Sequence, residues 1–267
     1  MQMKPKLNSS VSVVKISDQI LEFFKTNTRQ QVRIKVPNDD ILQIVCSLDG
    51  TKELEVIAAE NNVDVASLAS LLDYLSARGI LDSVTPSSDF YDYDRFRRVI
   101  HFLSEYASSH ENLVHMWNSL RNSRVLIVGL GAVGTWVACN LVQSGVKTLI
   151  VMDPDRVDIS NLHRQVGYSE KTIGQLKADA LEAYLHEMAS DITVIKDYHY
   201  LDENSLHVFD NQQIDLVVNC ADKPNVDLTS NWIGEYCMER GIPHIVGGGY
   251  NMHLSLIGQT ILPGRSA

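Results

Sequence analysis

Gly129, Gly131 and Gly134 stand in the order G-x-G-x-x-G, directly after the apolar run RVLIV (124–128). Glycines at this spacing let a turn approach a phosphate, and the N–H groups of the helix that follows face the anion. Asp153 lies 19 residues after Gly134, at the end of a second apolar run, TLIVM (148–152). A carboxylate there can accept hydrogen bonds from a ribose diol. The segment DPDRVDISNLHRQ (153–165) adds Asp155, Asn161, Arg164 and Gln165, and Lys177 arrives shortly after Gly174. Dinucleotide sites neutralise their pyrophosphate mainly with backbone dipoles. Arg164 and Lys177 converging on one turn instead suit a triphosphate, whose charge grows on a leaving pyrophosphate. Asp222 ends a third apolar run, IDLVVNCAD (214–222), and is suited to hold Mg²⁺ beside the phosphates. Its other reading is a cap for the helix that begins near Asn225.

The elements that must position these residues follow from the same stretch. RVLIV and TLIVM read as strands buried on both faces of a parallel sheet, with TWVACNLVQSG as the helix between them. A helix over 225–240, then HIVGG (244–248) and LSLIGQTIL (254–262), complete a largely parallel sheet. Residues 89–267 are therefore predicted to form an α/β, Rossmann-like nucleotide-binding domain, entered through helices over 95–106 and 111–120. Residues 1–88 read differently. VSVVKIS (11–17), LEFFKT (21–26) and QVRIKV (31–36) are short strands. Asn38-Asp39-Asp40 can cap a helix over 41–48, and Thr51 a second one through Glu60. Asp64 starts a third, with Val65, Leu68, Leu71, Leu72 and Leu75 at helical spacing and Gly79 at its end. With Ile80-Leu81 returning as a strand, the pattern is a winged-helix-like α+β module. TPSSDFYDYDRFRR (85–98) links it to the second domain.

At 267 residues, 45% hydrophobic and 21% charged, the chain can build one large core or two ordinary ones. A net charge of −10 argues against nucleic acid and against anionic membrane as partners. The N-terminal module alone has nine basic against eleven acidic side chains, and its third helix carries Asp64, Asp73 and a single Arg78. A DNA reader needs clustered Lys and Arg there, so peptide binding is the better expectation. Cys46, Cys139, Cys220 and Cys237 form no C-x-x-C pair and read as reduced core residues. No apolar run reaches the roughly 18–20 residues that span a bilayer, and the start lacks a signal-peptide core; a cytoplasmic location is expected.

GLGAVG, the D-x-D of Asp153 and Asp155, NLHRQ, the G-x-x-K ending at Lys177 and the A-D ending at Asp222 together resemble the ThiF/MoeB/ubiquitin-activating-enzyme superfamily. CADKP (220–224), NWIGEYC (231–237), GGYN (248–251) and RFRR (95–98) are similar to the microcin C type of peptide-adenylating enzyme. In that family a winged-helix-like peptide clamp precedes the adenylation domain. The resemblance implies ATP-dependent adenylation of the C-terminal carboxylate of a ribosomally made peptide, as in bacteriocin maturation, with release of pyrophosphate. It assigns Asp153 to the ribose, Asn161, Arg164, Gln165 and Lys177 to the phosphates, and Asp222 to Mg²⁺. Arg98 matches an arginine that family members insert from the other subunit of a homodimer. Two alternatives stay open: activation of a ubiquitin-like sulfur carrier, and a non-catalytic peptide-binding partner of another enzyme. The family usually continues past the point matching Leu262-Pro263-Gly264 into paired C-x-x-C zinc ligands. This chain stops at Ala267, as a fragment or a shortened member, so zinc is not expected within it.

Overall fold

Alternating apolar residues in the first three strands build one face of an N-terminal unit. The computed structural model describes residues 4–8, 10–26, 28–37, 40–82, 90, 92–107, 110–246 and 258–264. β1 (Val11–Ser17), β2 (Ile20–Lys25) and β3 (Gln30–Lys35) form an antiparallel sheet in that order. Val11, Leu21 and Phe23 point inward onto α1 (Asp40–Cys46), α2 (Leu54–Glu60) and α3 (Val65–Ser76), where Ile44, Ile57, Leu68, Leu72 and Leu75 complete one core. The Asp64 carboxylate caps α3 by accepting the Ser67 N–H at 2.9 Å. Thr51 does not cap α2 as expected. Its N–H and hydroxyl both donate to Asp49 Oδ1 (2.8 and 2.6 Å), and α2 begins after Glu53. The expected caps Asn38 and Asp39 lie outside the described residues, as do residues 85–89 and 91 of the expected linker. Leu81 pairs with Leu7 as an isolated bridge, closing a winged-helix-like α+β arrangement.

α4 (Tyr93–Ser104) and α5 (His110–Asn122) follow, with Phe96 against Trp117 at 5.2 Å between ring centroids. The chain divides into two compact units, 1–117 and 118–267, so the division falls inside α5. The pattern of strands, helices and linker in the sequence places a boundary at residue 88.

The second unit is a six-stranded sheet. β4 (Arg124–Val128), α6 (Ala132–Gln143) and β5 (Thr148–Met152) form the first βαβ turn. α7 (Lys177–Met188), β6 (Thr193–Asp197), β7 (Leu216–Asn219), α8 (Val226–Arg240), β8 (His244–Val246) and β9 (Gln259–Ile261) complete it. The order is β6-β5-β4-β7-β8-β9, parallel except for the β8–β9 pair. β6 was not anticipated from sequence. Of the expected strands 244–248 and 254–262, residues 247–248 and 254–257 lie outside the described residues. Successive β4 residues serve opposite faces: Val125 and Ile127 pack with α6 and α7, Leu126 and Val128 with α8. Order reverses at β4, between β5 and β7, and ligands of open α/β sheets bind at that crevice. Among the described residues no helix is long and apolar enough to cross a membrane.

The β4–α6 junction tolerates no side chain at Gly134. A Cβ there would lie 1.9 Å from the Gly129 carbonyl oxygen, a contact between two pieces of backbone. Gly134→Ala should therefore destabilise the protein by at least about 2 kcal/mol, read as a fall in melting temperature. An unchanged Tm would contradict this packing.

Candidate functional site

The site starts at the turn after β4. Gly129 takes φ +91°, a conformation costly for any side chain, and donates its N–H to the Met152 carbonyl at 2.9 Å. A Cβ on Gly129 would stand 2.7 Å from the Cys220 carbonyl, so the turn lies directly against the end of β7. Gly131 differs from both neighbours in the motif. Its φ is ordinary, and no atom lies within 4 Å of where its Cβ would be. Its missing side chain leaves open space at the N-terminus of α6, where helix N–H groups and the helix dipole favour an anion.

Asp153 holds that turn in place. It is only 6% exposed, and its carboxylate accepts the N–H of Leu130 (2.6 Å) and the N–H of Asp155 (2.8 Å). Burial pushes its carboxyl pKa up, against Lys177 and the two backbone donors. The Tyr168 hydroxyl adds a bond to the Leu130 carbonyl at 3.1 Å. Each Asp153 oxygen thus accepts one backbone N–H, at the strand end to which the resemblance assigns the ribose. Asp155 is the carboxylate that faces outward. Lys177 Nζ stands 3.1 Å and Lys223 Nζ 3.7 Å from its Oδ2, and the Tyr200 hydroxyl donates to Oδ1 at 3.2 Å. Partial burial opposes ionisation, yet these donors hold the Asp155 carboxyl below the usual carboxylate range. Lys177, the first residue of α7, is itself buried.

The structure gathers most of the remaining candidates around this turn. Asn161 is buried, and its Oδ1 accepts the Asp158 N–H at 2.9 Å, fixing the short 3₁₀ turn Ile159–Asn161. Gln165 is buried with its Oε1 unpartnered, a polar atom that a donor on a ligand could satisfy. Arg164 is exposed, is steadied by the Ser160 carbonyl (2.7 Å), and lines a cleft of about 520 Å³ with Ala132, Val133 and Trp136 of α6. Asp222 follows Cys220 by two residues and is exposed. It does not cap α8. That cap is Asn225, whose side chain accepts the Leu228 N–H at 2.9 Å. An exposed carboxylate on the loop after β7 suits Mg²⁺, which takes one or two protein carboxylates plus phosphates and waters. No cluster of three metal-ligating side chains occurs among the described residues. Arg98 belongs to the other unit, exposed on α4 in a cleft with Tyr93, Arg97 and His101. GGYN (248–251) lies outside the described residues. Burial raises the thiol pKa of Cys220 and of Cys237 to about 12 and also raises that of Cys139, so none of the three is a ready thiolate.

A profile of the ThiF family matches residues 109–261, more than half of the chain. The chain belongs to the ThiF family. The adenylyltransferase and sulfurtransferase UBA4 of Meyerozyma guilliermondii is 31% identical over 198 residues, covering 74% of this chain and 44% of that protein. The adenylyltransferase and sulfurtransferase MOCS3 of Caenorhabditis briggsae is 38% identical over 130 residues, 48% of this chain and 31% of the relative. This ThiF-family chain thus spans less than half the length of these curated relatives. Among solved structures, E. coli MccB superposes with a TM-score of 0.78 at 23% identity, over 99% of this chain and 71% of MccB. The resemblance to the ThiF/MoeB superfamily holds, and the MccB fold is shared.

Tyr200 and Lys223 are the site residues that the sequence analysis passes over. Lys223 had a signal, its place in CADKP next to Asp222; Tyr200 had none. Scaffold and ligand-facing residues should separate in a melting experiment. Asp153→Asn leaves one buried N–H without an acceptor and should cost about 1–3 kcal/mol. Arg164→Ala, on an exposed side chain, should cost less than about 1 kcal/mol. Equal Tm values for the Asn variant and wild type would remove Asp153 from the scaffold.

Proposed function

We propose that the protein adenylates the C-terminal carboxylate of a ribosomally made peptide with ATP. The observation that carries this reading is the open cradle at Gly131, with Lys177, Asp155 and the outward Arg164 arranged around one helix N-terminus. A carboxylate oxygen of the peptide attacks the α-phosphorus, the bond from that phosphorus to the bridging oxygen breaks, and pyrophosphate leaves with the electron pair. No side chain needs to become a nucleophile. The protein has to hold two anions in line and stabilise the charge on the leaving group. The α6 N–H groups and Lys177 serve the phosphates on the inner side, Arg164 on the outer side, and Asp153 the ribose. Asn161 and Gln165 support the phosphate side from below. Mg²⁺ held by Asp222 would neutralise phosphate charge when bound. Arg98 acts from a second copy in a homodimer, and the cytoplasm is the proposed location.

The N-terminal unit supports a peptide as the substrate. Its sheet ends in β1, an edge strand with Val14 and Ile16 exposed, and extended peptides bind by adding to such an edge. MccB, whose fold covers nearly all of this chain, has been crystallised with ATP and with N-formylated MccA. A second reading, activation of a ubiquitin-like sulfur carrier, is favoured by the curated sequence relatives, which are named adenylyltransferase and sulfurtransferase.

Exchange of labelled pyrophosphate into ATP tests the reaction. It should require Mg²⁺ and a cognate peptide with a free C-terminus, and vanish when that terminus is amidated. Exchange driven by a ubiquitin-like carrier and by no peptide would move the assignment to the second reading. Within an active preparation, Asp222→Asn should lower exchange about 100-fold or more with little change in Tm, since Asn225 and not Asp222 caps α8. Undiminished exchange would place the metal elsewhere. Gly131→Ala should keep its fold yet weaken ATP binding by filling the cradle, and equal ATP affinity would show that phosphate does not approach there.

A further inference from the structure

The N-terminal unit is divided by charge. Residues 10–36, which form the three-stranded sheet, carry five basic side chains against two acidic ones. Residues 37–82, which form the three helices, carry two basic against nine acidic. An acidic partner is therefore repelled by the helical layer and drawn to the sheet. The two edges of that sheet differ as well. β1 exposes Val14 and Ile16, whereas β3, which pairs with β2 alone, exposes Arg33 and Lys35.

Glu22 fixes the orientation of Arg33. The two are cross-strand partners, and Glu22 is only 9% exposed although Leu21 and Phe23 on either side of it point to the core. The Arg33 Nε–H donates to Glu22 Oε2 at 2.6 Å, while the Arg33 side chain stays 62% exposed. Spending Nε on Glu22 leaves the two terminal nitrogens, a flat fork that matches a carboxylate. Lys35 stands two residues on, on the same face and about 7 Å along the strand. Ile34, between them, turns to the core side and is half-buried.

We propose that β3 is the selective edge of the peptide-binding unit, and that it takes an extended segment with acidic residues at alternate positions and an apolar residue between them. A strand added to β3 in either direction sets alternate side chains beside Arg33 and Lys35, and the one between them beside Ile34. The pleat thus defines the class of peptide: Asp or Glu at two positions of one face, and an aliphatic or aromatic residue at the position they flank. This rests on the peptide reading above and deepens it. Glu22 is a positioning residue, and Arg33 and Lys35 make the contacts.

The full chain is titrated, without nucleotide, with three short fluorescein-labelled peptides and followed by anisotropy. Their central triplets are Glu-Val-Glu, Gln-Val-Gln and Glu-Glu-Val within one uncharged polar sequence. The first should bind about tenfold more tightly than either of the others, the scale of two cross-strand ion pairs. Glu22→Gln, Arg33→Gln and Lys35→Gln together leave no buried charge unpartnered and should abolish that preference with the fold retained by Tm. If the triple variant does not fold, Lys35→Gln alone, on an exposed side chain, should lower the preference about threefold. Val14→Thr on β1 should keep it. Equal binding of Glu-Val-Glu and Glu-Glu-Val, a preference that survives the Gln variants or is lost in Val14→Thr, or no binding of any peptide overturns the proposal. A short DNA duplex that binds more tightly than Glu-Val-Glu, and only when Arg33 and Lys35 are present, would make β3 a nucleic-acid surface instead. Pyrophosphate exchange with a peptide that lacks this pattern would leave the adenylation reading standing where this one fails.

Discussion

The close approach of Gly134 to the Gly129 carbonyl, locked by the buried Asp153 carboxylate, is the constraint on which the site depends. It brings the start of α6 against the end of β4, so the helix N–H groups open into the crevice between β5 and β7. Several candidates of the same unit are placed relative to that turn. Asp155 is held by the second Asp153 oxygen, Lys177 by Asp155, and the β7 end by the contact between Gly129 and Cys220. A carboxylate with a raised pKa at the centre of this arrangement is a cost the fold accepts, because each of its oxygens replaces water with a fixed N–H donor.

This arrangement also separates two kinds of charged residue. Asp153, Lys177 and Asn161 are buried and bonded to the chain, so their geometry exists before any ligand arrives. Arg164, Asp222 and Lys223 are exposed, with Arg164 bonded to the Ser160 carbonyl and Lys223 beside Asp155. Fixed dipoles of this kind can stabilise developing negative charge without reorganising at the moment of reaction.

Much of this was legible in the residues. RVLIV and TLIVM are strands because β-branched runs of five, bounded by turn signals, fit a sheet covered on both faces. β6 escaped because TVIKD is an edge strand only partly covered, with Lys196 paired to Asp179 and Glu182, so polarity hides its periodicity. That Asp153 also accepts the Leu130 and Asp155 N–H groups has no signal in the residue type at a strand end. Thr51 and Asp222 were reasonable caps by type, but Asp49 captured the first and Asn225 lies closer to the helix that the second would have served. The Tyr200–Asp155–Lys223 meeting joins positions far apart in the chain and has no local signature.

Alternate residues of β4 belong to different cores, and β4 is bonded along its length to β5 on one side and to β7 over most of it on the other. Its amides can reach solvent only when both layers of the unit come apart. Amide hydrogen exchange at Leu126 and Ile127 thus reports the free energy of global opening, whereas β6, bonded to β5 alone, can fray by itself. The strand at the floor of the crevice is therefore expected to exchange more slowly than the outer strand β6.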